Sequence, residues 1–332
     1  MLDLARLAER SWRHNRALTV LVGAMLASLV ATFTGLVFDQ RSITGAPAWL
    51  KPTKFALSIA IYGATLMWLL SYVEGRRRMV RLVSWVTAFS LLIEMVLIGG
   101  AVVADTTSHF NVSTPLNTAV WATMAFFIAL TWIMTLLTAW LLVTQRLPDR
   151  VFAQALRLGV IVAAVGMAVG FFMTSPTAAQ TAAAEAGNAM PIVGAHSVGV
   201  DDGGPGLFLV GWSTEGGDLR VGHFVGLHAL QLLPLLGLGL SRLGPRWLGT
   251  GARTRLVWVI GLAYLGIVVL TTWQALRGQP LLRPDVSTSV GGGAILLVAA
   301  LAASVIVARA RLGKNQSREP TQPGEGVDGH RE

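Results

Sequence analysis

Apolar runs separated by short polar connections organise this chain. Allowing about 20 residues for each bilayer crossing, the runs near 18–38, 54–73, 79–104, 116–143, 154–174, 221–240, 254–275 and 288–308 are each long enough to span. The pattern predicts an all-α fold, a polytopic transmembrane bundle of eight helices. Ahead of the first run, residues 1–17 place Leu2, Leu4, Leu7 and Trp12 so that a short amphipathic helix can lie on the cytoplasmic leaflet. The following run is longer than the apolar core of a signal peptide, so the first span is expected to stay uncleaved. Segment 314–332 is polar and rich in Pro and Gly, and a disordered cytoplasmic tail holding a solvated His330 is expected there.

Within this pattern lies an internal repeat. WLKPTKF at 49–55, entering the second span, resembles DLRVGHF at 218–224, entering the sixth, and pairs Lys51 with Arg220, Lys54 with His223 and Phe55 with Phe224. SHFNVSTP at 108–115, entering the fourth span, pairs with LRPDVSTS at 282–289, entering the eighth. The two matches share nearly one offset, so two parallel four-helix units are expected, residues 14–146 and 147–313. Four spans per unit preserve orientation, as a parallel repeat about the membrane normal requires.

Composition strengthens the membrane reading: 53% of residues are hydrophobic, 13% are charged and the mean hydropathy is +0.61, against about 25% charged residues in soluble domains. There is no cysteine, which excludes disulfides, thiolate metal ligands, iron–sulfur clusters and haem attachment through CxxCH. The net charge of +9 invites a nucleic-acid partner, but its distribution removes the need for one. With the N-terminus inside, 20 of the 26 Lys and Arg residues fall on the inner side, while the acidic residues outside the spans divide evenly. That bias follows the positive-inside rule. A bacterial inner membrane with both termini cytoplasmic accounts for it.

Candidate chemistry gathers on the outer side. The connection 175–220 is far longer than the others, and its glycines, Pro205, Phe208 and Trp212 suit a packed lid better than a solvated linker. It leads through STEGGDLRVGHFVGLHALQ into the sixth span, which carries His223 and His228. Ionisable groups at such depth are costly and usually functional. At about 100° per residue the two rings point about 140° apart, with His228 about 7.5 Å deeper, so they do not easily share one metal. Pro234 is expected to kink this helix.

The leading reading is a haem b or divalent-metal site in the outer half, because neutral imidazole is the commonest metal ligand and a four-helix unit can hold a cofactor. Its ligands would be His228 with His109 or His223. His196, Asp201 and Asp202 extend the metal set, and Arg220 and Lys51 are placed to meet propionates or another anionic head group. The structural alternative for each histidine is a hydrogen bond to a loop carbonyl or carboxylate. In SHFNVSTP, Ser113 or Thr114 can cap the fourth span and Pro115 suits its first turn, which leaves His109 and Asn111 unexplained. Glu94, midway along the third span, should be neutral, pair with a cation or line a proton or ion path. Asn111, Gln231, Gln274 and Arg277 are candidates for a polar cavity, whereas His14 lies among arginines and is discounted. No Walker loop, GxGxxG, HExxH or GxSxG supports nucleotide or hydrolase chemistry.

The motifs SHFNVSTP, DDGGPG and GDLRVGHFVGLHALQ resemble those of a group of uncharacterised bacterial eight-span inner-membrane proteins. That resemblance implies a fold and a location, and no mechanism. Haem A synthase is similar at the level of architecture alone, having eight spans in two four-helix units with histidine-ligated haem. This chain has no histidine in spans two, four or eight, so a four-histidine, two-haem arrangement does not carry over. Three function classes stand: a membrane redox or cofactor protein with a membrane redox partner, a proton-coupled permease using Glu94, and a non-catalytic sensor or assembly factor.

Overall fold

The computed structural model describes the backbone of residues 4–316 and the side chains of residues 9–312. In chain order the elements are α1 (Leu4–His14), α2 (Arg16–Phe38), β1 (Ser42–Ile43), β2 (Ala46–Pro47), α3 (Leu50–Leu70), α4 (Arg77–Val103), α5 (Pro115–Thr144), α6 (Arg150–Phe172), α7 (Ala178–Glu185), β3 (Ser197–Val198), β4 (Gly217–Asp218), α8 (Leu219–Leu243), α9 (Thr250–Leu276) and α10 (Val286–Gln316). Eight of these, α2 to α6 and α8 to α10, are long and apolar enough to cross a membrane. The fold is thus all-helical and multi-pass, as the apolar runs predict. The α10 helix continues through residues 314–316 of the expected tail. The rest of that tail, with His330, lies outside the described residues.

Side-chain caps fix several helix starts. Asn15 accepts from Leu18 N–H, Thr114 from Asn117 N–H with Pro115 following, and Asp149 from Val151 and Phe152 N–H. Such caps satisfy amides that the helix itself leaves free. The closest seam joins α6 to α8 through small residues: a Cβ on Gly166 would lie 2.5 Å from Gly226 Cα, and one on Gly159 would meet Ala229 O at 2.9 Å. In lipid, backbone approach of this kind supplies the packing that the hydrophobic effect cannot. The α8 helix runs through Pro234, whose ring packs on Gly159. On the periphery, α10 packs against α9, and large apolar side chains such as Val30, Phe126, Leu296 and Val298 point outward, as a lipid-facing surface requires.

Both halves of the chain pack alike. In α2–α5 the first helix meets the second and third, the second meets the third, and the third meets the fourth; α6, α8, α9 and α10 repeat those pairings. A two-stranded antiparallel hairpin precedes the second helix in each half. The third helix of each half ends at a left-handed residue, Asp105 or Gly278, followed by an amide bonded five residues back, Thr106 N–H to Ala101 O and Gln279 N–H to Gln274 O.

All four connections at one end of the bundle touch. Arg41 reaches Val102 O and Asp105, Gly45 packs on Gly203, Val112 N–H bonds Pro191 O, and Gly199 lies against Gly278. This capped end contains the long connection, which holds α7 and the β3–β4 hairpin. Neither is evident from its sequence.

Candidate functional site

Two carboxylates are buried near the capped end, in opposite circumstances. Asp218, 2% exposed, starts α8 and is saturated: Ser213 N–H and Arg220 N–H donate to it at 2.8 and 3.0 Å, and the Arg220 guanidinium grips both oxygens. Glu94, 1% exposed on α4, has no hydrogen-bond partner on either oxygen among the described residues. A buried polar atom left unsatisfied costs about 1–3 kcal/mol. Asp218 is therefore explained by the fold, and Glu94 is not.

Facing Glu94 is His109, whose Nε2 lies 3.7 Å from Glu94 Oε1. That gap is a little too long for a direct hydrogen bond and is closed by a small side-chain rotation. His109 belongs to connection 104–114, which turns inward instead of leaving the bundle. Its course is fixed by two left-handed residues, Asp105 and Phe110, and by Asn111, which donates to Thr106 Oγ1 and accepts from Ser113 N–H and Oγ. Antiparallel bonds to the long connection, Val193 N–H to Phe110 O and Val112 N–H to Pro191 O, hold it down. Phe55, Phe110 and Trp121 surround the ring at centroid distances of 5.8, 6.0 and 5.5 Å. Burial drives the His109 pKa well below its usual 6.5, and the charges of Lys51 and His196 act in the same direction. It is a neutral base at neutral pH.

A second histidine lies beyond Phe110, 4.9 Å from it between ring centroids. His196 Nδ1–H donates to Asp202 Oδ2 at 2.7 Å, and the main-chain amides of His196 and Ser197 bond the same carboxylate. Burial works against an ionised Asp202, but these hydrogen bonds and the His196 ring hold its pKa below the usual carboxylate range. Burial lowers the pKa of His196, with Asp202 opposing. Asp201, its neighbour in sequence, is exposed. Lys51, on the first turn of α3, lies within electrostatic reach of Glu94, Asp202 and Arg220. Glu94, His109, Lys51 and the His196–Asp202 pair therefore share one corner of the capped end.

The remaining candidates are placed elsewhere. His223 Nδ1–H donates to Gly166 O at 2.8 Å, tying α8 to α6. His228 turns to the bundle's half-exposed flank, stacked on Phe224 at 4.1 Å with its Nδ1–H on Phe224 O. Arg220 is committed to Asp218 and Gly211 O. Gln274 donates to Pro280 O, and Arg277 bonds Asp285 and Ser287 while lying over Trp273. Asn111 is likewise spent within its own loop, and Gln231 donates to Thr65 Oγ1. Among the described residues no group of three His, Asp or Glu converges as a metal set. His223 is turned to α6 and His228 to Phe224 of its own helix, so the two rings have different neighbours.

Along α4, Ser84, Thr87, Ser90 and Glu94 recur at helical intervals, a polar spacing visible in the sequence. Searches against protein-family models, curated proteins and solved structures find no match to this chain.

Proposed function

We propose that this is a proton-coupled permease of the bacterial inner membrane, with both termini cytoplasmic, in which Glu94 and His109 exchange a proton beneath the lid formed by the long connection. One observation carries the reading: a fully buried carboxyl group with no hydrogen-bond partner among the described residues faces a neutral imidazole at 3.7 Å, with a lysine nearby. Such a pair can pass a proton with little rearrangement, and an unsatisfied ionisable group in a span is kept for use, not for stability. The excess of Lys and Arg in the connections opposite the capped end supports the orientation. The haem reading has less behind it, because His228 faces outward. A Soret band lost in His228→Ala would restore it.

The test needs no substrate. Protein reconstituted on a solid-supported membrane is given a pH jump, and the displacement current from proton binding is recorded. Wild type and His228→Ala should give the current and Glu94→Gln should not. Equal currents in wild type and Glu94→Gln would end the proposal.

A further inference from the structure

Below Glu94, two further side chains of α4 share its condition. Thr87 Oγ1 and Ser90 Oγ are 0% exposed and have no hydrogen-bond partner among the described residues. A hydroxyl in an apolar helix ordinarily bonds the carbonyl one turn back. On the neighbouring α5, Thr123, Thr131, Thr135 and Thr138 all do so, at 2.7, 2.9, 3.0 and 2.8 Å, as do Thr34 and Thr65 elsewhere. Thr87 and Ser90 therefore depart from the habit of this fold, and both lie on the face that carries Glu94.

At about 100° and 1.5 Å per residue, Ser84, Thr87, Ser90 and Glu94 fall within roughly 120° of one another around α4, separated by rises of about 4.5, 4.5 and 6 Å. Each rise is close to the span of two hydrogen bonds of about 2.8 Å, the reach of one bridging water. The stripe ends towards the opposite face at Ser84, which accepts from Asn15 Nδ2 at 2.7 Å where α1 meets α2. At its other end, beyond Glu94, stand His109 and then the partly exposed His196.

We propose that Thr87 and Ser90 carry a file of bound water joining Glu94 to the Asn15–Ser84 pair, so that the Glu94 carboxyl exchanges protons with the face opposite the capped end. Together with His109 this gives Glu94 one route to each side of the membrane, the condition for coupling a proton gradient to transport. This rests on the reading of Glu94 as a proton carrier.

The measurement is the deuterium exchange rate of the protonated Glu94 carbonyl stretch, identified by its loss in Glu94→Gln, in infrared spectra of the full chain in nanodiscs. His109→Phe serves as background, because it closes the route from the capped end. On that background Thr87→Val with Ser90→Ala should slow exchange at least tenfold, whereas Thr87→Ser with Ser90→Thr, which keeps both hydroxyls, should restore it. Exchange indifferent to the hydroxyls, or slowed equally by both pairs, overturns the file and leaves the carboxyl reading standing. A carbonyl band that moves on adding sodium overturns it too, by placing a cation on the same oxygens. If wild type has no carbonyl band that Glu94→Gln removes, the parent reading falls and the route falls with it.

Discussion

Replacing Glu94 by methionine should stabilise the protein. Leu91 and Ile98, one turn to either side on the same face of α4, are buried and apolar, and methionine matches glutamate in length while adding no polar atom. Removal of the glutamate withdraws two oxygens that have no hydrogen-bond partner among the described residues, each a burden of about 1–3 kcal/mol. Apolar replacement of buried ionic groups elsewhere is neutral or stabilising by about 1–4 kcal/mol. A gain of about 2 kcal/mol is expected, read as a raised midpoint in equilibrium unfolding by sodium dodecyl sulfate in mixed micelles. Asp218→Leu is the internal contrast. It strands the Arg220 guanidinium, the Ser213 amide and the first turn of α8, and should cost about 3–5 kcal/mol. Glu94→Gln keeps a polar group in place and should change little. The displacement current should vanish in Glu94→Met although the protein is more stable, since stability and activity oppose each other at a site held for function. A loss of 1 kcal/mol or more in Glu94→Met would show that Glu94 supports the fold, and the functional argument would fail.

Gly166→Val should separate α6 from α8, because the new Cβ would lie 2.5 Å from Gly226 Cα; overpacking costs about 1–3 kcal/mol, readable in the same unfolding assay. His109 and His196 both have folded-state pKa values below 6.5. Below that pH the unfolded chain binds protons that the folded chain refuses, so stability is full above about pH 6.5 and declines as pH falls. The slope is at most about 1.4 kcal/mol per pH unit for each histidine, and His109→Phe should flatten it; an unchanged slope would place the titration elsewhere. Asp202, depressed in the folded state, supports stability above its unfolded value of about 3.9 and loses that support as pH falls, so Asp202→Asn should destabilise at pH 7 and cease to matter in strong acid. His228→Ala should shift unfolding by about 1 kcal/mol or less, its ring being half-exposed and bonded to its own helix.

The eight spans were legible because a run long enough to cross a bilayer leaves few alternatives, and the Thr114–Pro115 start of α5 was legible because its cap is local. Glu94, His109, Lys51, His196 and Asp202 could be picked out as candidates from the sequence, but not that they gather in one corner while His223 and His228 lie elsewhere. In lipid the outward face of a helix is as apolar as the inward one, so the pattern could separate His223 from His228 by angle without revealing that His223 faces α6 and His228 faces out. The meeting of His109 with Glu94 depends on connection 104–114 folding inward, which Phe110 and Asn111 achieve through contacts with residues 191–193. Nothing local encodes that pairing. The short α7 lies in an alanine-rich stretch with no apolar period to announce it.

The two halves supply a control for the polar stripe within one molecule. Superposing α9 on α4 by the left-handed residues that end them, Asp105 and Gly278, shifts the numbering by 173. Ser84, Thr87, Ser90 and Glu94 then fall on Val257, Ile260, Ala263 and Ile267. Both helices hold the same place in their halves, packing on the first and second helices and carrying the fourth, yet α9 has apolar side chains at these four positions. The architecture therefore does not require hydroxyls or a carboxyl at those positions of the third helix. What the second half contributes instead is the long connection, whose residues 191–193 pin the loop bearing His109 and whose His196–Asp202 pair stands at the edge of the cluster. The first half holds Glu94 and the second holds its cover. Apolar replacement of Thr87, Ser90 and Glu94 together is therefore expected to leave the packing of α4 intact while abolishing the displacement current proposed for Glu94; a loss of stability of about 1 kcal/mol or more in that triple variant would refute the argument from α9.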